Sequence, residues 1–184
     1  MKLIETGISG LFVLEPKVFK DDRGYFFESY NSQKLSDLGI KNAFVQDNQS
    51  KSSYGVLRGL HYQLNPHAQT KLVRVLDGII YDVAVDIRKG SPTFGKHFGI
   101  ELSSENNLQL YIPKGFAHGF SVLSNTAVVM YKCDSLYNPQ SERGVRFDDP
   151  ALDIDWHIPV KDAILSPKDT ANPLLKDAEI NFTL

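Results

Sequence analysis

Short strand-like segments separated by turn residues make up most of this sequence, and this spacing constrains the fold more than any other feature. The clearest unit is residues 71–87, where two apolar segments flank the pair Asp77-Gly78. Asp-Gly suits a two-residue type I′ turn, so we expect a β-hairpin here. In its second strand the odd-numbered residues 81–87 form an apolar face, and Asp82 and Asp86 lie on the opposite, mixed face. The pattern favours antiparallel strands over alternating strands and helices.

A second hairpin is predicted further along the chain. Residues 119–123 and 127–133 are two apolar segments that flank a Ser-Asn-Thr turn. This hairpin would place Val129, Tyr131 and Cys133 on a common face of its second strand. Polar groups of both predicted hairpins would then converge on one interior.

Helices are few in the pattern. The only convincing one early in the chain is residues 32–38, with Asn31 as its N-cap and Gly39 at its end. After Pro150 the chain is punctuated by prolines, which predicts short elements packed over a sheet. Residues 176–184 would form a terminal strand or tail.

So many short antiparallel strands must protect their edges, because open edges promote aggregation. The chain has 184 residues and is 42% apolar, enough for one core and too little for two comfortable ones. We therefore expect an all-β fold, a single domain spanning residues 1–184 and built as a jelly-roll barrel with a few short helices. The mouth of such a barrel can hold a small ligand.

Composition narrows the possible partners. The formal charge is -2 and the pI is about 6.2, so we expect no binding to nucleic acid. The single cysteine, Cys133, cannot form an internal disulfide, and a buried thiol in a reducing compartment is the expectation. The N-terminal residues lack the pattern of a signal peptide, and no long apolar segment occurs. These features predict a cytoplasmic protein without a membrane partner.

The segment 56–63 contains the first candidate for chemistry. Strict alternation would place His61 and Gln63 on one face and Arg58 on the other. Histidine is the natural proton acceptor near neutral pH. Taken alone, however, a histidine on a strand is more often structural, and a lone arginine is more often a surface charge.

A metal site is the alternative use of a histidine in such a barrel. Residues 61–71 contain no His-x-His pair, and Lys71 stands where a carboxylate ligand would be expected. A lysine cation repels a divalent ion. We therefore expect neither a metal ion nor another cofactor.

Ten short motifs occur in order along nearly the whole chain. They are DRGYFFE at 22–28, QDN at 46–48, LRGLH at 57–61, KLVR at 71–74, IPKGFAHGF at 112–120, YKC at 131–133, YNP at 137–139, ERG at 142–144, DDP at 148–150 and LSPKD at 165–169. Any one of them is weak evidence, whereas the ordered set is strong, and together they resemble the dTDP-4-dehydrorhamnose 3,5-epimerase family.

The resemblance implies a cupin-like jelly roll and an isomerase that works without a metal. Its implied reaction converts dTDP-4-dehydro-6-deoxy-D-glucose to dTDP-4-dehydro-L-rhamnose by epimerisation at C3 and C5. In the implied site His61 is the base, oriented by Asp169, and Lys71 stabilises the enolate. Tyr131 would return the proton on the opposite face, with a pKa that we expect the Lys71 cation to lower.

The resemblance also implies a binding site for the nucleotide. Arg58, Arg23 and Lys168 are the candidates for the pyrophosphate, and Tyr137 for stacking on the base. Further substrate contacts are implied for Phe26, Glu28, Gln46, Asp47, Asn48, His118 and Glu142. Asp82 is left with three alternatives, since it could pair with Lys71, pair with His118 or be a surface carboxylate.

Residues 23–28 are implied to pair with a partner subunit and to help close its active site. A homodimer is therefore expected, and the apolar Tyr25-Phe26-Phe27 cluster would suit an interface strand. The alternative is an internal edge strand of the same barrel.

Two other functions remain open at the level of sequence. A relative could invert only C3 or only C5, or isomerise the keto group, with the same side chains and a differently placed sugar. A non-catalytic cupin could merely bind a sugar nucleotide. The presence of His61, Asp169, Lys71 and Tyr131 together argues against the non-catalytic alternative.

Overall fold

The computed structural model describes the whole chain, residues 1–184. Its strands are β1 (Lys2–Glu5), β2 (Phe12–Glu15), β3 (Phe19–Asp21), β4 (Gly24–Phe26), β5 (Gln46–Ser53), β6 (Leu57–Gln63), β7 (Lys71–Asp77), β8 (Ile79–Asp86), β9 (His97–Ser103), β10 (Gln109–Ile112), β11 (Phe116–Val122), β12 (Thr126–Cys133) and β13 (Glu142–Gly144). The α-helices are α1 (Ser32–Asp37) and α2 (Pro167–Ala171), and 3₁₀ turns cover Pro139–Ser141, Val160–Asp162 and Leu175–Asp177. None of these helices has the length and apolar character needed to cross a membrane.

The strands form two facing antiparallel sheets and a short arm. One sheet has six strands in the order β1-β2-β10-β7-β12-β5, and the other has five in the order β13-β6-β11-β8-β9. Strands β3 and β4 pair only with each other and form the arm. From β5 to β13 each strand lies in the sheet opposite to that of the preceding strand, except that β9 pairs with β8, and this crossing between sheets is the connectivity of a jelly roll. The prediction of an all-β jelly roll is confirmed.

Neither predicted hairpin forms, although all four predicted strands are present. β7 and β8 lie in different sheets, and so do β11 and β12. The Asp77-Gly78 and 124–126 turns are corners that carry the chain from one sheet to the other. Gly78 has φ +82°, as an Asp-Gly turn requires. The two corners contact each other through a hydrogen bond that Ile79 N donates to Ser124 Oγ at 2.8 Å. Both hairpin predictions were wrong about pairing.

Burial of apolar faces explains why these strands face each other instead of pairing. Val73 and Val75 of β7 and Ile80 and Ala84 of β8 belong to the same buried cluster. In a hairpin these side chains would line one surface of one sheet. With a corner between the strands, the two surfaces cover each other and remove more apolar area from water.

The chain beyond Pro150 covers the outer face of the five-stranded sheet. Trp156 and Phe182 are buried there against Leu57, Leu60 and Val85. The remaining buried members of this layer include Tyr62, Val83, Ile87, Leu152, Ile158 and Ile180. The prediction of short elements packed over a sheet is confirmed, and residues 176–184 are not a free tail, because Ile180 and Phe182 are buried in this layer.

The alternation predicted for the segment around His61 is broken by a bulge in β6. His118 of β11 is opposite His61, but Phe120 is opposite Arg58, so three steps along β6 match two along β11. The extra residue turns Arg58 to the same side of the sheet as His61, and the prediction that the two face opposite ways was wrong. The backbones approach closely here, since a Cβ on Gly59 would lie 2.5 Å from the Cα of Gly119.

The early helix forms where its caps predict. Asn31 caps α1 through a hydrogen bond from Lys34 N to Asn31 Oδ1 at 3.1 Å. Gly39 adopts φ +88° just beyond the helix, which only glycine does without strain. Leu35 is the buried residue that fixes the helix against the six-stranded sheet, beside Leu14 and Leu72.

Candidate active site

A cavity of about 390 Å³ opens at the end of the barrel where β7 begins and β12 ends. His61 reaches it from the five-stranded sheet, and Lys71 and Tyr131 reach it from the six-stranded sheet. A smaller cavity of about 140 Å³ shares these three side chains. The remaining residues that line the larger cavity are Gln46, Asn48, Gln49, Tyr62, Gln63, Gln69, Tyr137 and Glu142.

His61 forms a short hydrogen bond with Asp169. The His61 Nε2 atom lies 2.5 Å from Asp169 Oδ1, and Asp169 is only 2% exposed. Burial opposes ionisation of Asp169, but hydrogen bonds from His61 and Ser166 outweigh it and hold the pKa of Asp169 below its ordinary value. In a neutral imidazole, an ionised Asp169 favours the tautomer with the proton on Nε2, and the free lone pair is then on Nδ1.

Asp169 owes its position to the first turn of α2. Ser166 is the N-cap of this helix, and Pro167 occupies the first helical position, where its fixed φ is favourable. Asp169 therefore falls in the first turn and is the buried residue of the helix. The helix itself lies against β6, the strand that carries His61.

Lys71 has no carboxylate partner. It takes part in none of the salt bridges of the chain. Burial lowers its pKa, although Cys133, Asp82 and Glu142 oppose this effect. Its Nζ atom lies 5.7 Å from the ring centroid of Tyr131. The Lys71 amino group is thus available to an oxygen atom in the cavity.

The expected lowering of the Tyr131 pKa was wrong. Burial raises the pKa of Tyr131, and the nearby Cys133 and Glu142 add to this effect. Asn48 and Arg58 favour the phenolate, but they do not overcome burial. The phenol is therefore protonated at neutral pH and can act as a proton donor.

Asp82 and His118 form a buried pair in the interior of the barrel. His118 Nε2 lies 2.8 Å from Asp82 Oδ1, and Asp82 has no exposed surface. Of the three alternatives, pairing with His118 is therefore correct. Burial lowers the pKa of His118, and the neighbouring Lys71 and His61 act in the same direction, against the effect of Asp82. His118 and Arg58 both line the smaller cavity.

Tyr137 lies at the rim of the larger cavity on a segment that two glutamines hold. Gln46 Oε1 accepts a hydrogen bond from Tyr137 N at 2.9 Å, and Gln63 Oε1 accepts one from Asn138 N at 2.7 Å. The Tyr137 hydroxyl donates to Glu142 Oε2 at 2.5 Å, which raises the pKa of Tyr137. The ring itself is about half exposed and is accessible to a flat ligand.

Glu142 connects the rim of the cavity to α2. Its carboxylate pairs with Lys168, which precedes Asp169 in the helix. Burial opposes ionisation of Glu142, but hydrogen bonds from Lys168 and Tyr137 hold its pKa below the ordinary value. The ion pair places the Lys168 ammonium group beside the cavity.

Four residues implied as substrate contacts do not reach the cavity of their own chain. Asp47 is exposed and binds Lys132 at 3.0 Å, because its side chain points away from the face that carries its neighbours in β5. Arg23 binds Asp21, and Glu28 binds Lys34. Arg23, Glu28 and Phe26 lie on or beside the arm, where Phe26 is 67% exposed.

The structure adds residues that the sequence reasoning did not assign to the site. Gln49, Gln63 and Gln69 line the larger cavity, and Ser166 holds Asp169. For Gln63 the signal was present, since alternation places it on the face of His61. For Ser166 the signal was an N-cap three residues before Asp169.

The donor set that a metal ion would need is not assembled. No group of three or more His, Cys, Asp or Glu side chains that could hold a metal is found. His61 and His118 each have a carboxylate partner, and the Lys71 ammonium group lies in the same cavities.

Comparison with known proteins identifies the family. The family model described as dTDP-4-dehydrorhamnose 3,5-epimerase matches residues 5–177. A dTDP-4-dehydrorhamnose 3,5-epimerase from Shigella flexneri is 52% identical over 180 residues, covering 97% of this chain and 98% of that protein. The crystal structure of the enzyme of that name from Elizabethkingia anophelis NUHP1 superposes with a TM-score of 0.92 at 58% identity, covering 96% of this chain and 97% of that one.

A ligand-bound structure superposes with the same TM-score. The dTDP-6-deoxy-D-glucose-3,5-epimerase from Legionella pneumophila Philadelphia 1, in complex with dTDP-4-keto-L-rhamnose, has a TM-score of 0.92 and 52% identity. The match covers 96% of this chain and 93% of that one. With the family model matching most of the sequence, and relatives this similar over nearly their full length, this chain belongs to the dTDP-4-dehydrorhamnose 3,5-epimerase family.

Proposed function

We propose that this protein epimerises dTDP-4-dehydro-6-deoxy-D-glucose at C3 and C5 to give dTDP-4-dehydro-L-rhamnose. One observation carries the proposal: His61 enters the cavity from one sheet, and Lys71 and Tyr131 enter it from the facing sheet. A sugar ring held between the sheets would have a base on one face and an acid on the other. Inversion at a carbon atom needs that arrangement.

The chemistry follows from the C4 carbonyl of the substrate. The hydrogens on C3 and C5 are both α to this carbonyl and can be removed as protons. His61 Nδ1 takes the proton, and the electrons of the C–H bond form a C=C bond while the carbonyl becomes an enolate oxygen. The Lys71 ammonium group stabilises that negative charge. Asp169 stabilises the imidazolium that forms on His61.

Tyr131 completes the inversion by donating its proton to the opposite face of the same carbon. The enolate then returns to a ketone, and its negative charge is transferred to the phenolate. Because burial raises the pKa of Tyr131, the group is protonated before the reaction and is a strong base afterwards. Both properties suit a group that delivers one proton and is then reprotonated from solvent, while the His61 imidazolium releases the abstracted proton to solvent.

The nucleotide would occupy the rim of the cavity. The half-exposed Tyr137 ring offers a surface on which a base can stack. The Lys168 ammonium group lies near the same rim, and Arg58 lines the smaller cavity, so both can reach anionic oxygens of the ligand. Gln46 and Glu142 would contribute both to holding Tyr137 and to hydrogen bonding with the nucleotide.

We also propose that the protein is a homodimer in which the arm of each subunit closes the cavity of its partner. The arm exposes Phe19, Tyr25 and Phe26, each by more than half of its surface. An exposed aromatic cluster of this kind is typical of an interface. In a dimer Arg23, Phe26 and Glu28 could contact the nucleotide bound to the other subunit, which their own cavity does not allow.

The proposed site of action is the cytoplasm. The one cysteine of the chain, Cys133, is buried and unpaired. A free thiol of this kind is typical of a reducing compartment.

Solvent exchange tests the reaction. The purified enzyme is incubated with dTDP-4-dehydro-6-deoxy-D-glucose in deuterated water, and deuterium is counted at C3 and C5 by NMR. We expect label at both carbons and the L-rhamno configuration in the product. Label at one carbon would establish a single epimerase in its place, and tight binding without label would establish a non-catalytic binding protein.

A further inference from the structure

We propose that Ser166 is a positioning residue for the base: its hydroxyl holds the Asp169 carboxylate in the one orientation that serves His61. The inference rests on the proposed function, because it assigns Ser166 to the proton-abstracting pair of that reaction. Ser166 is not among the residues that line either cavity. Its role is therefore exerted through Asp169 and not by contact with substrate.

Each oxygen of the Asp169 carboxylate has its own side-chain donor. His61 Nε2 lies 2.5 Å from Oδ1, and Ser166 Oγ donates to Oδ2 at 2.7 Å. Rotation of the carboxylate about its last bond would lengthen both hydrogen bonds at once. Asp169 itself is 2% exposed, whereas Ser166 lies at the exposed start of α2. The two donors together fix the plane of the Asp169 carboxylate, and with it the direction of the hydrogen bond to the imidazole.

The same serine also positions the backbone of Asp169. As the N-cap of α2, Ser166 Oγ accepts a hydrogen bond from Asp169 N at 3.1 Å. One oxygen atom thus accepts from the main chain of residue 169 and donates to its side chain. In an ordinary capping box the acidic side chain would reach back to the N-cap backbone. Here the Asp169 side chain is directed to His61 instead.

The charge of Asp169 depends on the same contacts. Burial opposes ionisation of Asp169, and hydrogen bonds from His61, Ser166 and the backbone of Gly59 reverse this effect. Without the Ser166 hydroxyl the ionised form loses one of these donors. We therefore expect the pKa of Asp169 to rise and the orientation of His61 to become less well defined.

The test separates this role from simple helix capping. Glycine at an N-cap costs only a few tenths of a kcal/mol relative to serine, whereas alanine costs about 1 kcal/mol. Ser166→Gly and Ser166→Ala both remove the hydroxyl, and Ser166→Thr keeps it. Thr170→Ala is the matched control, because it removes an exposed hydroxyl from the same helix that bonds only to Pro167 O. For each variant kcat, KM, the pH profile and Tm are measured with the dTDP-linked ketosugar.

If Ser166 positions Asp169, Ser166→Gly and Ser166→Ala should lose kcat to a similar extent, about 10- to 100-fold, as other residues that orient a functional side chain do. KM should stay near the wild-type value, and the acid limb of kcat/KM, which reports the coupled pair, should move to higher pH. Ser166→Thr and Thr170→Ala should retain most of the activity.

Two outcomes would overturn the inference, and they differ from each other. Suppose that the wild-type enzyme is active and that the loss of kcat in the variants follows the fall in Tm, so that the loss is greater in Ser166→Ala than in Ser166→Gly. That result would mean that Ser166 only caps the helix. An inactive wild-type enzyme with no solvent exchange would overturn the proposed function, and the positioning role with it.

Discussion

At the scale of single residues, the site divides acid and base between two sheets. His61 is held by Asp169 in a position where Nδ1 is free, and Tyr131 is buried in a way that keeps its proton. The candidate base and the candidate acid therefore reach the cavity from facing sheets. Their roles can be separated by experiment because each acts on a different bond.

Replacement of His61 should abolish proton abstraction. In His61→Asn the rates of epimerisation and of deuterium exchange should both fall to about 10⁻² to 10⁻⁴ of the wild-type rate, since no other base lies in the position of His61. Asp169→Asn keeps the shape of the partner and should bind the nucleotide normally, yet it should turn over slowly because the imidazole adopts the wrong tautomer. Near-normal exchange in His61→Asn would require another base.

Replacement of Tyr131 should separate exchange from inversion. In Tyr131→Phe the base can still form the enolate, which His61 then reprotonates from the original side. Deuterium should therefore enter with retained configuration, while net inversion falls by about 10² or more, the scale expected for a lost general acid. Equal losses of exchange and inversion, in a folded variant that still binds dTDP, would mean that Tyr131 only shapes the cavity.

At the scale of elements, two local irregularities assemble the site. The bulge in β6 brings Arg58 to the side of His61, and the first turn of α2 brings Asp169 behind the imidazole. A third element, the turn that follows β8, provides the hydrogen bonds that stabilise the buried carboxylate of Asp86. Asp86 is fully buried there, and it is surrounded by donors from the residues that follow it.

Asp86 should make the stability of the protein depend on acid pH. Burial alone would raise its pKa, but hydrogen bonds from Arg88, Ser91 and Thr93 lower it to about 2 from the ordinary 3.8. A carboxyl with a lowered pKa stabilises the fold above its unfolded pKa, and that stability is lost as the pH falls through the folded value. We expect about 2 kcal/mol of the free energy of unfolding to disappear between pH 4 and pH 2.

Urea unfolding across this pH range measures the effect, with Asp86→Asn as the test variant. The variant should be less stable at pH 7 and should show a flatter pH dependence below pH 4. Asp148→Asn is the matched control, because Asp148 forms an exposed ion pair with Arg146 that should contribute little. An unchanged pH slope in Asp86→Asn would contradict the assignment.

At the scale of the whole molecule, the cavity of one chain lacks part of the implied binding site. The arm formed by β3 and β4 carries Arg23 and Phe26, and it pairs with no other strand of its own chain. A second copy of the chain can supply these residues. The dimer proposal therefore predicts shared sites, which a mixing experiment can detect.

Two inactive variants should complement each other in a mixture. Arg23→Ala damages only the arm and His61→Asn damages only the cavity, so a hybrid dimer contains one cavity with both parts intact. Subunit exchange between the two proteins should restore activity above that of either alone. Sedimentation should give the mass of a dimer for both variants. No recovery after proven exchange would mean that each site is complete within one chain.

Removal of metal ions should not affect turnover. Lys71 lines the cavity and repels a divalent ion when it is protonated, and the neighbouring histidines are bonded to carboxylates. Activity should therefore be unchanged after dialysis against EDTA. Loss of activity that a divalent ion restores would overturn this prediction.

Local features of the sequence predicted local features of the fold. Asn31 and Gly39 mark the ends of the first helix because caps depend only on neighbours in the chain. Period-two alternation correctly placed Asp82 on the face of Ile80 and Ala84, since side chains of a strand alternate whatever the strand pairs with. The same alternation directs the Asp47 side chain away from those of Gln46 and Asn48, although the resemblance to the family implied substrate contacts for all three.

Other features depend on contacts that are distant in sequence, and only the tertiary structure decided them. The pair Asp77-Gly78 predicts a turn, but it does not decide whether the turn forms a hairpin or connects two sheets. That choice depends on which apolar faces of β7 and β8 are buried together. The side on which Arg58 lies depends on a bulge opposite β11. The pKa of Tyr131 rises because the fold removes the phenol from water, which no sequence pattern around it reveals.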